Sequence, residues 1–260
     1  MAAEPTPGNP AGSAPGFECL SPPRLRGWPA LQARLVHHVK RAALRQLHAS
    51  NDGEMLLLRF YLVGEESSEQ ALQRELRIAP PEWLVRQLDQ HLADEQLHAR
   101  LFAQAIVERG GSAQAAASPE QAPRPDWFSR RKLARWQALI RRHAPHFAHG
   151  GLVPAYAIGL AAEQMASRIL QRHCALIGPQ HALHPLLARV MADEDRHIRL
   201  CTRTLQRCVA PHEEARLAQL MREVRDTERG FGVTGALGMW LAGVALRLRP
   251  GSAPPVRHHA

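Results

Sequence analysis

Apolar residues return every three or four positions from about residue 28 to residue 246, a helical period sustained through almost the whole chain. β-branched runs with alternating pattern are hard to find, which argues against sandwiches and barrels. The period breaks at few points. A first helix is expected over residues 28–63, disturbed at Asn51-Asp52-Gly53, with a shorter helical piece over 67–76. Pro80-Pro81 opens a second helix that runs to about Arg109. Residues 110–125 are an Ala/Ser/Pro/Gln low-complexity stretch and read as a mobile crossover, after which Asp126 caps an amphipathic piece to His143. A third helix over 153–177 stops at Gly178-Pro179, a fourth covers 183–208, and Pro211 opens a fifth. Helix pair, long crossover, helix pair and extra C-terminal helix together predict an all-α four-helix bundle. One domain over residues 26–248 is expected, between disordered tails at 1–25 and 249–260.

Composition enters at three points. With 260 residues, 45% of them hydrophobic, the chain can bury a sizeable core. Its 33 basic against 24 acidic side chains give a net charge of +9, but only Lys40 and Lys132 are lysine. Such an arginine bias in an alanine-rich chain reads as a GC-rich genome, so nucleic-acid binding does not follow from the charge, although an acidic partner stays open. Four cysteines without a CxxC pair exclude a disulfide framework, and the N-terminus lacks the features of a signal peptide, so a cytoplasmic setting is expected. Residues 231–246 carry no charge, but 16 residues with four glycines fall short of the ~20 that a transmembrane span needs. A final helix buried in the protein or covered by a partner is expected there, with a membrane-surface anchor as the alternative, and no span.

The chemistry sits in two matching blocks, Asp94-Glu95-Gln96-Leu97-His98 in the second helix and Asp193-Glu194-Asp195-Arg196-His197 in the fourth. At about 100° per residue, Glu and His three apart lie about 60° from each other and share a face. Leu88, Leu92, Ala99 and Phe102 flank Glu95 on that face, and Leu187, Val190, Met191, Ile198 and Cys201 flank Glu194. A carboxylate centred in such a stripe is costly to bury unless it is paired or metal-bound. Carboxylate oxygen with imidazole nitrogen and vacant positions suits an iron or manganese ion that binds oxygen. The weighed alternative is a pair of interhelical ion pairs in the core.

A two-metal site in such a bundle takes one further Glu from each partner helix. Glu163 is the only acid between residues 153 and 177 and precedes Glu194 by 31 positions, a helix–turn–helix return distance. On the first helix Glu54, with Leu47, Leu57, Leu58 and Tyr61 on its face, is preferred although it lies 41 residues before Glu95. Glu65 and Glu66 have shorter spacings of 30 and 29, but Gly64-Glu65-Glu66-Ser67-Ser68 reads as an exposed turn.

The order Glu54, Glu95-x-x-His98, Glu163, Glu194-x-x-His197 resembles the ferritin-like diiron carboxylate superfamily over roughly residues 30–208. The Asp-Glu-x-Arg-His form of the second block is similar to that of bacterial multicomponent monooxygenase hydroxylases, and small bundles that hydroxylate a modified tRNA adenosine carry a comparable doubled motif. Leu97 stands where that form has Arg. The resemblance implies a ferritin-like bundle holding two iron ions, with manganese an option at one position. Glu95 and Glu194 would bridge them, Glu54 and Glu163 would be terminal ligands, and His98 and His197 nitrogen ligands. It implies a non-heme diiron oxidoreductase that activates dioxygen to hydroxylate or oxidise an organic substrate. The alternatives are a ferroxidase or rubrerythrin-like handler of iron or peroxide, and a tRNA-modifying hydroxylase.

Around these ligands Asp94 and Asp193 are placed to accept the second N–H of a ligating imidazole, each serving the histidine of the other block. His91 shares the face of Glu95 and His98 and reads either as an extra ligand or as a core histidine beside them. The one GxGxxG string, Gly230-Phe231-Gly232-Val233-Thr234-Gly235, falls inside the expected fifth helix with no strand before it and so is no dinucleotide-binding signature; electrons would come from a separate reductase or ferredoxin. A tRNA substrate would need Arg130-Arg131-Lys132, Arg135 and Arg141-Arg142 to flank the site entrance. A homodimer is a further expectation.

Overall fold

A computed structural model describes residues 17–76, 80–112 and 127–248. Among the described residues it forms seven helices and no strand: α1 (Gly27–Leu47), α2 (Asn51–Leu76), α3 (Glu82–Val107), α4 (Trp127–His143), α5 (Leu152–Ile177), α6 (His184–Cys208) and α7 (Glu214–Arg247). The expected tail beyond residue 248, most of the N-terminal tail and the low-complexity crossover lie outside the described residues. Residues 19–21, assigned to the N-terminal tail, are held in place: Arg225 donates to the carbonyls of Cys19 and Ser21, and Gln164 to that of Leu20.

The first expected helix is divided just before Asn51-Asp52-Gly53, where a disturbance is expected. α1 ends at Leu47, and α2 begins at Asn51 with Ser50 Oγ accepting the Gly53 N–H at 3.2 Å. A Cβ at Gly53 would lie 2.0 Å from the Leu47 carbonyl oxygen, so glycine is required for the two helices to meet so closely. The expected turn at Gly64–Ser68 does not form. Ser67 Oγ folds back onto the Val63 carbonyl at 2.7 Å and α2 continues unbroken to Leu76, so Glu65 sits in mid-helix. At the far end of α5, Gly178 takes φ +75° with ψ 167°, an extended positive-φ conformation open to glycine, and the helix stops there.

Two antiparallel hairpins, α2/α3 and α5/α6, face each other, with α3 against α6 and α2 reaching α5 through Tyr61 and His173. Their core is layered. At one end Leu72, Leu84, Leu88, Val153, Leu160, Cys201 and Leu205 pack together. At the other Leu58, Leu62, Phe102, Ile106, Leu170, Leu187 and Val190 do so. The acids and imidazoles of both blocks fall between these layers. Phe102 is fully buried and stacks on Tyr61 at 5.2 Å, so Phe102→Ala is expected to cost about 3–5 kcal/mol in a denaturant titration.

Outside this unit α1 and α7 lie side by side. Contacts advance together along both, Lys40 with Gly232 and Gln46 with Gly243, so the two helices run in the same direction. α4 packs on the first half of α7, where Trp136 donates to Glu228 and Lys132 pairs with the same carboxylate.

Candidate metal centre

Four carboxylates and three imidazoles meet midway along the bundle: Glu65 from α2, His91, Glu95 and His98 from α3, Glu163 from α5, and Glu194 and His197 from α6. All seven are buried. Their atoms fall into two overlapping groups. His91, Glu95, Glu163 and His197 each offer an atom within 4.8 Å of the others, and Glu65, Glu95 and His98 do the same. Glu95 belongs to both and stands between them. Glu194 joins through His197 Nδ1, 3.8 Å from its Oε2, and through a hydrogen bond with Glu163.

The outer nitrogens are already committed. His98 Nε2 lies 3.0 Å from Asp193 Oδ2, and His197 Nε2 lies 3.3 Å from Asp94 Oδ2, so each aspartate holds the histidine of the opposite block. Both contacts are hydrogen bonds that an ionised carboxylate can only accept, so each Nε2 carries hydrogen, and a neutral imidazole then keeps its Nδ1 lone pair facing inward. Arg196 clasps both aspartates, reaching Asp193 through Nη1 and Asp94 through Nη2. One arginine thus serves both blocks, and the leucine at position 97 leaves no gap in the arrangement.

Inside, the polar atoms lack hydrogen-bond partners. His98 Nδ1, His197 Nδ1, both nitrogens of His91, Glu95 Oε1 and Glu194 Oε2 are buried without one. Among the described residues no lysine or arginine pairs with the four glutamates. Burial first, and then the charges of neighbouring glutamates, push Glu95 and Glu194 upward. Burial likewise pushes Glu65 up to about 7. Glu163 goes the other way because the His91 imidazole, 3.3 Å from it, and the Glu194 carboxyl outweigh its burial. Burial alone would lower His91, but Glu163 and Glu95 beside it push it up to about 10, so without metal one imidazolium stands among four carboxyl groups that share protons. Four carboxyl groups in a dry interior, with the Nδ1 atoms of His98 and His197 aimed among them, suit a bound cation in place of those protons. The O and N donors fit iron or manganese.

Glu54, the preferred first-helix ligand, lies elsewhere. Eleven residues from Glu65, or about 16 Å along α2, it sits at the end of the bundle in a network of its own. His48 Nδ1 lies 3.0 Å and His181 Nε2 3.1 Å from its Oε1, while Arg109 Nε donates to its Oε2 at 3.0 Å. These groups are close enough to hold an ion, but their hydrogens are accounted for. Leu183 N–H donates to His181 Nδ1 at 3.2 Å, so the Nε2 of neutral His181 keeps its hydrogen and gives it to Glu54. His48 does the same from Nδ1, its Nε2 accepts from His173 Nε2, and Tyr61 donates to His173 Nδ1 at 2.8 Å. Burial first, with His48 and His181 beside it, holds His173 down to about 3, so it remains neutral. One ionised carboxylate therefore fixes the tautomers of three histidines and the direction of a phenol.

Glu65 takes the place expected of Glu54: its Oε2 lies 3.4 Å from His98 Nδ1 and it hydrogen-bonds Glu95. Its 30-residue spacing from Glu95, close to the 31 between Glu163 and Glu194, was the signal in the sequence. His91 is 3.2 Å from Glu95 and 3.3 Å from Glu163, inside the cluster. No protein-family model, curated protein or solved structure matches the chain.

Proposed function

We propose that this protein is a non-heme diiron oxidoreductase of ferritin-like build, which activates dioxygen to oxidise an organic substrate. The observation that carries the reading is the set of inward, partnerless atoms of His91, Glu95, His98, Glu194 and His197 between two apolar layers. In this reading Glu65, Glu95 and His98 hold one ion, His91, Glu163 and His197 the other, and Glu95 and Glu194 lie between them. Two irons bound there would supply the electrons that reduce dioxygen, and an external reductase or ferredoxin would restore them.

The chain's own residues do the rest. Asp193 and Asp94 hold hydrogen on Nε2 of His98 and His197 and so orient both Nδ1 atoms. Phe102, Leu88, Leu160 and Val190, all fully buried, keep bulk water from the carboxylates. Asp193→Asn should therefore weaken Fe(II) binding about 10–100-fold with the ligand set intact, as read by equilibrium dialysis. The basic run of α4 does not favour a tRNA substrate: Lys132 is already paired with Glu228 and Arg142 with Glu223 on α7.

The test is to load the protein anaerobically with Fe(II) and admit oxygen. The proposal expects oxygen uptake and a diferric absorption band, both absent from Glu194→Ala. Iron that binds but consumes no oxygen would sink the oxidase reading while leaving the metal centre.

A further inference from the structure

The second half of α7 is expected to be buried or partner-covered, and the described residues of this chain do not cover it. Of residues 231–246 only Ala236 and Gly243 are buried. Leu237 and Leu241 are each 53% exposed, and Leu248 more so. These three leucines point away from the body of the protein, because they lie about 160–180° around α7 from Met239, which packs on a cluster of Leu44 and Leu47 from α1 and Leu57 from α2. The helix is long and apolar enough to cross a membrane by length and composition.

Alongside, α1 presents Trp28, Leu31 and Leu35 outward, with Trp28 74% exposed. Spaced three and four apart, they form a single stripe. Charge adds the second observation. α1 has no acidic residue, and none follows Glu228 in α7. Arg34, Arg41 and Arg45 are exposed on α1, Arg24 and Arg26 just before it, and Arg247 at the end of α7.

We infer that the α1/α7 face docks peripherally on an anionic lipid bilayer, the leucines and Trp28 entering the headgroup–acyl boundary while the arginines meet lipid phosphates and carboxylates. A leucine and tryptophan face bordered by arginine is what such an interface takes up. The geometry opposes a span. The uncharged run measures about 24 Å against a hydrocarbon core of about 30 Å. α1 also packs along it, bringing Lys40 to Gly232 and Gln46 to Gly243, so crossing would draw the α1 cations into hydrocarbon.

Cosedimentation of the full chain with vesicles tests this independently of the metal centre. With phosphatidylcholine and phosphatidylserine in equal parts the protein should pellet, and binding should fall at least about tenfold on phosphatidylcholine alone. The triple change Arg34→Glu, Arg41→Glu, Arg45→Glu should weaken it by at least about the same factor. Leu237→Glu with Leu241→Glu should abolish binding while circular dichroism and melting stay unchanged, since both side chains are exposed. The inference is overturned if the wild type stays in the supernatant with phosphatidylserine vesicles, or binds both vesicle types equally. It is also overturned if the leucine variant merely converts a dimer to monomer with no vesicle binding in either form.

Discussion

Glu95→Gln should make the metal-free protein more stable, by about 3 kcal/mol at pH 7, while removing its capacity to hold metal. Burial first, then Glu163 and Glu65, push the Glu95 carboxyl up to about 8 from an ordinary 4.5. A raised carboxyl subtracts stability as pH climbs from about 4.5 through about 8, because the folded state must retain a proton that the unfolded chain has released. Glutamine has no such proton to retain. The competing view, a structural ion-pair network, gives the opposite sign, since removing one partner of a buried pair costs about 3–5 kcal/mol. Urea titrations of chelated wild type and variant at pH 5 and pH 7 decide between them, with the gain expected mainly at the higher pH.

Glu54→Gln should move stability the other way. Burial alone would raise this carboxyl, but hydrogen bonds from His48 and Arg109 outweigh it and hold it down to about 2. A lowered carboxyl adds stability that is complete above about 4.5 and is lost as pH falls toward about 2. At pH 7 the variant should be less stable by about 3 kcal/mol, and the difference should close in acid. Its iron content should not change. A variant that is as stable as the wild type at pH 7 would remove Glu54 from its role as the tie between α2, Arg109, the end of α1 and the α5/α6 loop.

These two glutamates show what the sequence could and could not convey. The doubled Asp-Glu-x-x-His blocks were legible because helical spacing alone puts Glu and His on one face. The exchange of aspartates between blocks was legible too, since facing helices bring each Asp opposite the other histidine. Glu54 and Glu65 were not separable in that way. Both lie on an apolar face, and the decision turned on whether the chain bends near Gly64 or near Gly53. It bends before Gly53, where a Cβ would strike the Leu47 carbonyl, and runs straight through Gly64, where nothing lies within 4 Å. That is a property of two packed backbones and leaves no trace in local periodicity. His48, His173 and His181 were equally hidden, scattered over a helix end, a helix and a loop and joined only in the folded chain. The uncharged run of α7 was plain to read, but that the described residues leave its outer side exposed is decided by where α1 packs.

The most direct test of the central claim is the number of Fe(II) ions held per chain in anaerobic equilibrium dialysis. The account predicts about two for the wild type, with high-affinity binding lost in Glu95→Ala and still about two in Glu54→Gln. A wild-type chain that holds none, or that loses its iron with Glu54 and keeps it without Glu95, would contradict it.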